Sequence, residues 1–239
     1  MSSSLNADVI VLGAGIVGTS TALHLQKRGR SVVLIDRRGA GEETSYGNTG
    51  IIQREGVVPY PFPRSIGLMA QYALNLRPEA NLHWSALPTI APWLYHYWRA
   101  STPDGLAATS HAARPLIEHC IREHEALMAE AGILGMICRT GYLRFHRSAR
   151  ALEQDISKGE GDLETYGVNF RPVGAHELAE LEPHLRGPKV GGVLMPEPVS
   201  VSDPGAVVKA YAEVGLDELI LDATVSDPSQ VDRLAEVVF

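Results

Sequence analysis

Gly13, Gly15 and Gly18 stand at a G-x-G-x-x-G spacing in "GAGIVG", and an acid, Asp36, follows 18 residues after the last of them. Residue types in that order point to dinucleotide binding. Gly13 allows a tight turn, Gly15 removes the side chain that would keep backbone away from a pyrophosphate, and Gly18 lets the following helix pack close to the strands. The helix that opens there then points free N–H groups and partial positive charge at the anion. A carboxylate at Asp36 accepts hydrogen bonds from a ribose. It also repels a 2′-phosphate, which the adjacent Arg37 and Arg38 would otherwise pair with, so NAD or FAD fits better than NADP.

The motif alone is weak, and its weight comes from the elements that must hold it. "DVIVL", Asp8 to Leu12, is the continuous apolar run of a parallel strand buried on both faces. The helix after the glycines runs to Lys27 and Arg28 and stops at Gly29, with cations at its C-terminal end as the dipole favours. "SVVLID" supplies a second strand that ends at Asp36. Strand, glycines, helix, strand and acid therefore stand in the order of a βαβ unit, against the plainer reading of a tight turn in an ordinary α/β fold.

Composition narrows the partners. A formal net charge of −7 and the lack of a basic cluster longer than "DRR" argue against nucleic acid and for a small molecule. The 45% hydrophobic content is that of a globular chain. Cys120 and Cys138 have no metal-ligand spacing and suggest no disulfide scaffold, which fits a reduced, cytoplasmic setting. "MSSSLNA" lacks the basic and apolar regions of a signal peptide, and no uncharged apolar run approaches the roughly 18 residues of a membrane span. His119 and Glu123 are four apart and could share a metal, but a surface pair is the commoner outcome, and no metal is expected.

The polar, glycine-rich stretch "ETSYGNTGII" lies just beyond the unit's acid. With Asp36 and "RRGAGEETSYGNTGII" it resembles the flavin-binding segment of the D-amino acid oxidase-like FAD-dependent oxidoreductases, and within them most resembles the D-amino acid dehydrogenases, where a "TSxxNxG" loop runs beneath the flavin. That resemblance implies FAD as cofactor. Its site is then the segment Gly13, Ala14, Gly15, Ile16, Val17 and Gly18, with Asp36, Arg37 and Arg38, extended by a second cradle of Thr44, Ser45, Asn48, Thr49 and Gly50. Taken alone, such a loop reads as a solvent-exposed turn.

"TGYLRFH" at Thr140, "HELAELEPHL" at His176 and "GGVLMPEPVSVSDPGAVVKAYAE" at Gly191 resemble successive later parts of the same family, so the likeness covers roughly residues 5 to 213. The implied fold class is α/β: a Rossmann-type FAD-binding βαβ domain with an inserted α+β substrate domain that contains an antiparallel sheet. The implied division is 1–60 for the first part of the FAD domain, 61–199 for the substrate domain and 200–239 for the return. Family members continue well beyond this point, so the fold is expected to be incomplete at its C-terminus, with an atypical tail from residue 216.

The middle of the chain also reads from its residues. Ile117, Cys120, Ile121, His124, Leu127 and Met128 recur at helical spacing between Pro115 and Ala131 and give one apolar face, which makes Cys120 a core residue. "LRFH", "VNFRPV" and "GGVLM" are short, apolar or aromatic and separated by Gly and Pro, as in an antiparallel sheet. All three tryptophans fall in "WSALPTIAPWLYHYW", either a helix after Pro92 packed on the domain or a peripheral contact with the inner face of a membrane. Asp203, Pro204 and Gly215 cap, start and end a helix. A strand around Glu218 to Val225 and a helix opened by Asp227 and Pro228 follow.

The resemblance implies oxidation of a D-amino acid by hydride transfer from its Cα to the flavin. The imino acid then hydrolyses to a 2-oxo acid and ammonia, and a quinone or other acceptor reoxidises the cofactor. Glycine or sarcosine oxidase-type chemistry and a noncatalytic nucleotide-binding remnant are the alternatives. An arginine clamp would orient the substrate carboxylate. Arg54, Arg64 and Arg144 lie in suitable segments, but no motif selects a catalytic residue. Oligomeric state is not legible.

Overall fold

The computed structural model describes residues 7–215 and 219–221. Along the chain run β1 (Val9–Leu12), α1 (Ile16–Gln26), β2 (Val32–Asp36), β3 (Ile51–Ile52), α2 (Ile66–Ala73), α3 (Leu87–Ala100), α4 (Pro103–Ile117) and α5 (Cys120–Glu130). There follow β4 (Ile137–Cys138), β5 (Tyr142–His146), α6 (Ala149–Tyr166), β6 (Arg171–Gly174), α7 (Ala175–Leu181), β7 (Gly191–Met195), β8 (Val199–Val201), α8 (Pro204–Gly215) and β9 (Leu219–Leu221). These fall into two compact units. The first gathers the described residues up to Ile52, Ile121–Arg144 and those from Leu194 onward; the second gathers Gln53–Cys120 and Phe145–Val193.

The first unit is built on a parallel sheet in the order β1-β2-β9, with Val9 opposite Val32 and Leu34 opposite Leu219. Val32 to Ile35 of β2 are buried, as a central parallel strand requires. Expected to be buried on both faces, β1 is not: its residues are half-buried and Leu12 is 53% exposed, because among the described residues β1 pairs with β2 alone. A second, antiparallel sheet, β3-β8-β4, sets Ile51 opposite Ser200 and Ile137 opposite Val201. Leu23, Leu127, Met128, Val201, Val207 and Tyr211 make the main core, and Ala14, Leu34, Ala40 and Val208 a smaller one. The fold is thus mixed α/β with antiparallel sheet beside a parallel βαβ unit.

The return helix forms as its residues dictate. Asp203 Oδ1 accepts the Ala206 N–H at 2.9 Å, which satisfies one of the amides a helix start leaves open, and α8 then runs to Gly215. Between Pro115 and Ala131 the expected single helix is two. α4 ends at Ile117, α5 begins at Cys120, and the chain passes from the second unit to the first at that break. Leu127 and Met128 of α5 still bury the face that its spacing marks out, while Cys120 is only half-buried.

The strands expected from "LRFH", "VNFRPV" and "GGVLM" pair in the order β5-β7-β6. Helix α3 starts at Leu87 and runs through Pro92 rather than beginning after it. Tyr97 and Trp98 are tied down: the Tyr97 hydroxyl donates to Tyr60 O at 2.6 Å, and Arg64 lies 4.7 Å from the Trp98 ring while donating to its carbonyl. Trp84, Trp93 and Tyr95 face outward instead, each more than half exposed. No helix among the described residues is long and apolar enough to cross a membrane. The helix expected from Asp227 lies outside the described residues, and β9 is the described part of the strand expected around Glu218 to Val225.

Candidate functional site

The glycine turn is positioned by the strands on either side of it. Gly13 takes a φ of 99° and donates its N–H to Ile35 O at 2.7 Å, so the turn is pinned to the end of β2 as β1 leaves the sheet. Gly18 sits where α1 crosses that turn so closely that a Cβ there would lie 1.8 Å from Gly13 O. Gly15 is different. Its backbone is extended, and an added Cβ would meet only Ser45 Oγ at 3.4 Å, so the space over it is open. Val17, in the first turn of α1, is 76% exposed.

Asp36 reaches back to this turn. Its Oδ2 accepts the Ala14 N–H at 2.6 Å and its Oδ1 the Arg38 N–H at 2.9 Å. The carboxylate thereby fixes the loop while keeping lone pairs for hydroxyl donors. Arg37 and Arg38 both turn to Glu43, at 3.0 and 2.9 Å. The Arg37 hydrogen bond holds the Glu43 carboxyl below the usual carboxylate range. Both guanidiniums are engaged by that acid, so neither stands ready for a 2′-phosphate.

The polar loop after β2 folds back onto the start of α1. Ser45, buried, accepts the Ile16 N–H on its Oγ at 3.0 Å, and so supplies one of the partners that the first turn of α1 lacks. Asn48 organises the loop itself: its amide donates to Ser45 O at 3.1 Å and accepts the Gly50 N–H at 2.7 Å. Gly50, at φ 64°, passes so close to β8 that a Cβ would lie 2.7 Å from Val201 O. Thr44 and Thr49 are exposed on the same loop.

A cleft of about 140 Å³ opens beside these groups, wholly within the first unit, lined by Ile16, Ser45, Asn48, Gly50, Ile51, Ile52, His124, Val201, Pro204 and Val207. It runs from the N-terminal end of α1 to the Asn48 bend. His124 was legible only as part of the apolar face of α5; the signal that marks it is an imidazole at a core-facing position among aliphatic neighbours. Its Nδ1 lies 3.1 Å from the hydroxyl of Tyr211, a fully buried α8 residue. Burial holds the His124 imidazole below its ordinary pKa and pushes the Tyr211 phenol up.

Elsewhere the candidate side chains are occupied. Arg54 donates to Gly167 O and Tyr166 O at the end of α6, Arg64 serves Trp98, and Arg144 donates to the Tyr142 hydroxyl. Glu123 pairs with Arg122, and His119 lies 3.5 Å from Glu118.

A glycine turn under a helix start, an acid at the end of the second strand and a polar loop that prolongs the cleft define a dinucleotide-binding protein of the flavin-binding kind. Residues 8–218 match the family described as FAD dependent oxidoreductase, and the chain belongs to that family. It is 30% identical over 211 residues to a D-amino-acid oxidase of Bradyrhizobium diazoefficiens, a match covering 87% of this chain and 50% of that protein. It is 32% identical over 184 residues to a D-amino acid dehydrogenase of Xylella fastidiosa, covering 74% and 41%. The chain thus spans about half the length of the curated relatives it matches, or less. Among solved structures, the L-amino acid deaminase of Proteus myxofaciens shares the fold at a TM-score of 0.57 and 17% identity, covering 90% of this chain and 37% of that one. A glycine oxidase of Bacillus cereus shares it at 0.52 and 18%, covering 87% and 43%.

FAD is the cofactor of this family, and the site fits it. The space above Gly13 and Gly15 is open beside the start of α1, and the adjoining cleft is lined by the polar Ser45, Asn48 and His124 together with aliphatic side chains.

Proposed function

We propose that this chain provides the FAD site of an oxidoreductase that converts a D-amino acid to its imino acid, which hydrolyses to a 2-oxo acid and ammonia. The observation that carries the reading is the cleft that continues from the start of α1 to the Asn48 bend, longer than the glycine turn alone would offer. The amides of the first turn of α1 bind the diphosphate through Gly13 to Gly18, and Asp36 accepts the ribose hydroxyls. Ser45, Asn48, Thr49 and Gly50, with Thr44, shape the berth for the rest of the cofactor. FAD held there would supply the acceptor for the hydride equivalent lost from the substrate's α-carbon. Residues 61–199 hold the substrate domain in this reading. The D-amino acid assignment rests on the names of the relatives, and the glycine oxidase neighbour supports glycine or sarcosine as the second choice.

Anaerobic mixing of FAD-loaded protein with a panel of D-amino acids, L-amino acids, glycine and sarcosine tests the reading. Loss of the flavin's visible absorbance with D-amino acids alone is the expected result. Bleaching by glycine or sarcosine alone would move the assignment to the second choice, and bound FAD that none of the panel bleaches would leave a noncatalytic nucleotide-binding role.

The outward-facing Trp84, Trp93 and Tyr95 support peripheral contact of the second unit with a lipid headgroup region, where amphipathic rings are favoured. Co-sedimentation with lipid vesicles is expected, and to fall severalfold when the three rings are replaced by serine; sedimentation equal with and without vesicles would refute the contact.

A further inference from the structure

Of the polar side chains that line the cleft, Asn48 has both ends of its amide committed within its own loop, and Ser45 has accepted the Ile16 N–H. His124 is the third. Its Nδ1 is satisfied by Tyr211, and its other ring nitrogen, Nε2, has no partner among the described residues. His124 lines the cleft, so a ligand that fills it and displaces water from that nitrogen must supply a hydrogen-bond partner or leave it unsatisfied.

The two contacts to Tyr211 settle which way that nitrogen acts. The Tyr211 oxygen lies 3.1 Å from His124 O and 3.1 Å from His124 Nδ1. A phenol has one hydrogen to give. If it goes to the carbonyl, Nδ1 carries its own hydrogen and donates it to the phenol oxygen, and both contacts are hydrogen bonds. If it goes to Nδ1, the carbonyl contact carries no hydrogen and is lost. The first arrangement makes two bonds where the second makes one, and it leaves Nε2 bare, as an acceptor. A half-buried imidazole whose pKa is held down by desolvation is neutral, and with a bare Nε2 it takes a hydroxyl donor and not a phosphate oxygen.

We infer that His124 is a ligand-contacting residue of the FAD cleft, its Nε2 accepting a hydrogen bond from a sugar-type hydroxyl of the cofactor, with Tyr211 as the positioning residue that fixes the tautomer. The inference rests on the FAD reading above and adds to it the group on α5 that selects a polyol. In FAD such hydroxyls belong either to the ribityl chain or to the ribose of the adenylate half.

The test uses the whole chain with ring-¹⁵N-labelled histidine, the His124 signals being identified by their loss in His124→Gln. In the free protein Nδ1 is expected protonated and Nε2 unprotonated. FAD is expected to shift Nε2 while leaving Nδ1 in place. FMN, which has only the ribityl chain, and ADP, which has only the ribose, show which hydroxyl is responsible by which of them reproduces the shift. Tyr211→Phe is expected to swing the ring toward the tautomer protonated at Nε2, which a merely structural tyrosine would not do. By titration of flavin fluorescence, His124→Leu should weaken FAD binding about fivefold, while His124→Gln, which keeps an acceptor, stays near wild type. FAD binding with no movement of Nε2, or a free protein with the hydrogen on Nε2, would overturn the inference and leave the FAD reading standing. Failure of the wild-type chain to bind FAD at all would overturn both.

Discussion

Alanine at Gly18 is expected to cost about 3 kcal/mol or more, and to leave much of the chain unfolded in a solution where the wild type is folded. The added carbon would sit 1.8 Å from Gly13 O and 3.0 Å from Gly13 C. Both are backbone atoms of a turn tied to β2 through the Gly13 to Ile35 hydrogen bond, so no side chain can swing aside to relieve the clash. Either α1 lifts away from the sheet, which opens the core around Ala14, Leu34 and Val208, or the turn breaks its bond to β2. Equilibrium urea unfolding of the two proteins measures the difference. Coincident midpoints would show that α1 does not cross the turn as closely as described.

Valine at Gly15 is expected to do the reverse: the protein folds as before and FAD affinity falls by on the order of a hundredfold. At φ −79° and ψ −177° the backbone of Gly15 is extended, a conformation that β-branched residues accept, and the nearest atom to an added Cβ is Ser45 Oγ at 3.4 Å. The side chain would project into the open space where the diphosphate meets the first turn of α1. Losing two charge-assisted hydrogen bonds to that anion corresponds to a few kcal/mol, hence the magnitude. Unfolding midpoint and fluorescence titration with FAD separate the two effects. Undiminished FAD binding by a folded Gly15→Val chain would remove the glycine turn from the site. Two residues of one motif, three positions apart, thus divide its work: one serves the fold and the other the ligand.

How far the sequence foretold this can be judged element by element. The βαβ unit and the α8 helix were legible because their signals are local: apolar runs, glycines at a fixed spacing, Asp203 and Pro204 at a helix start. The pairing of β2 with β9 sets Leu34 opposite Leu219, segments about three-quarters of the chain apart, and no local pattern announces it. The split between α4 and α5 was hidden because the apolar spacing runs on through Ile117, Cys120 and Ile121 without registering that the chain changes units there. Ser45 and Asn48 were legible as loop polar groups, but not their bonds to Ile16 and Gly50, since a hydroxyl or an amide in a turn serves a ligand or its own backbone equally well. His124 and Tyr211 lie 87 positions apart and meet only through the packing of α5 on α8.

The grip of Asp36 on the amides of Ala14 and Arg38 has one more effect. A berth already braced by its own carboxylate keeps its outline when vacant, so the chain surrenders little further freedom at the moment of capture. In the proposed complex the cost of ordering that turn falls on folding, and less of it is left for binding.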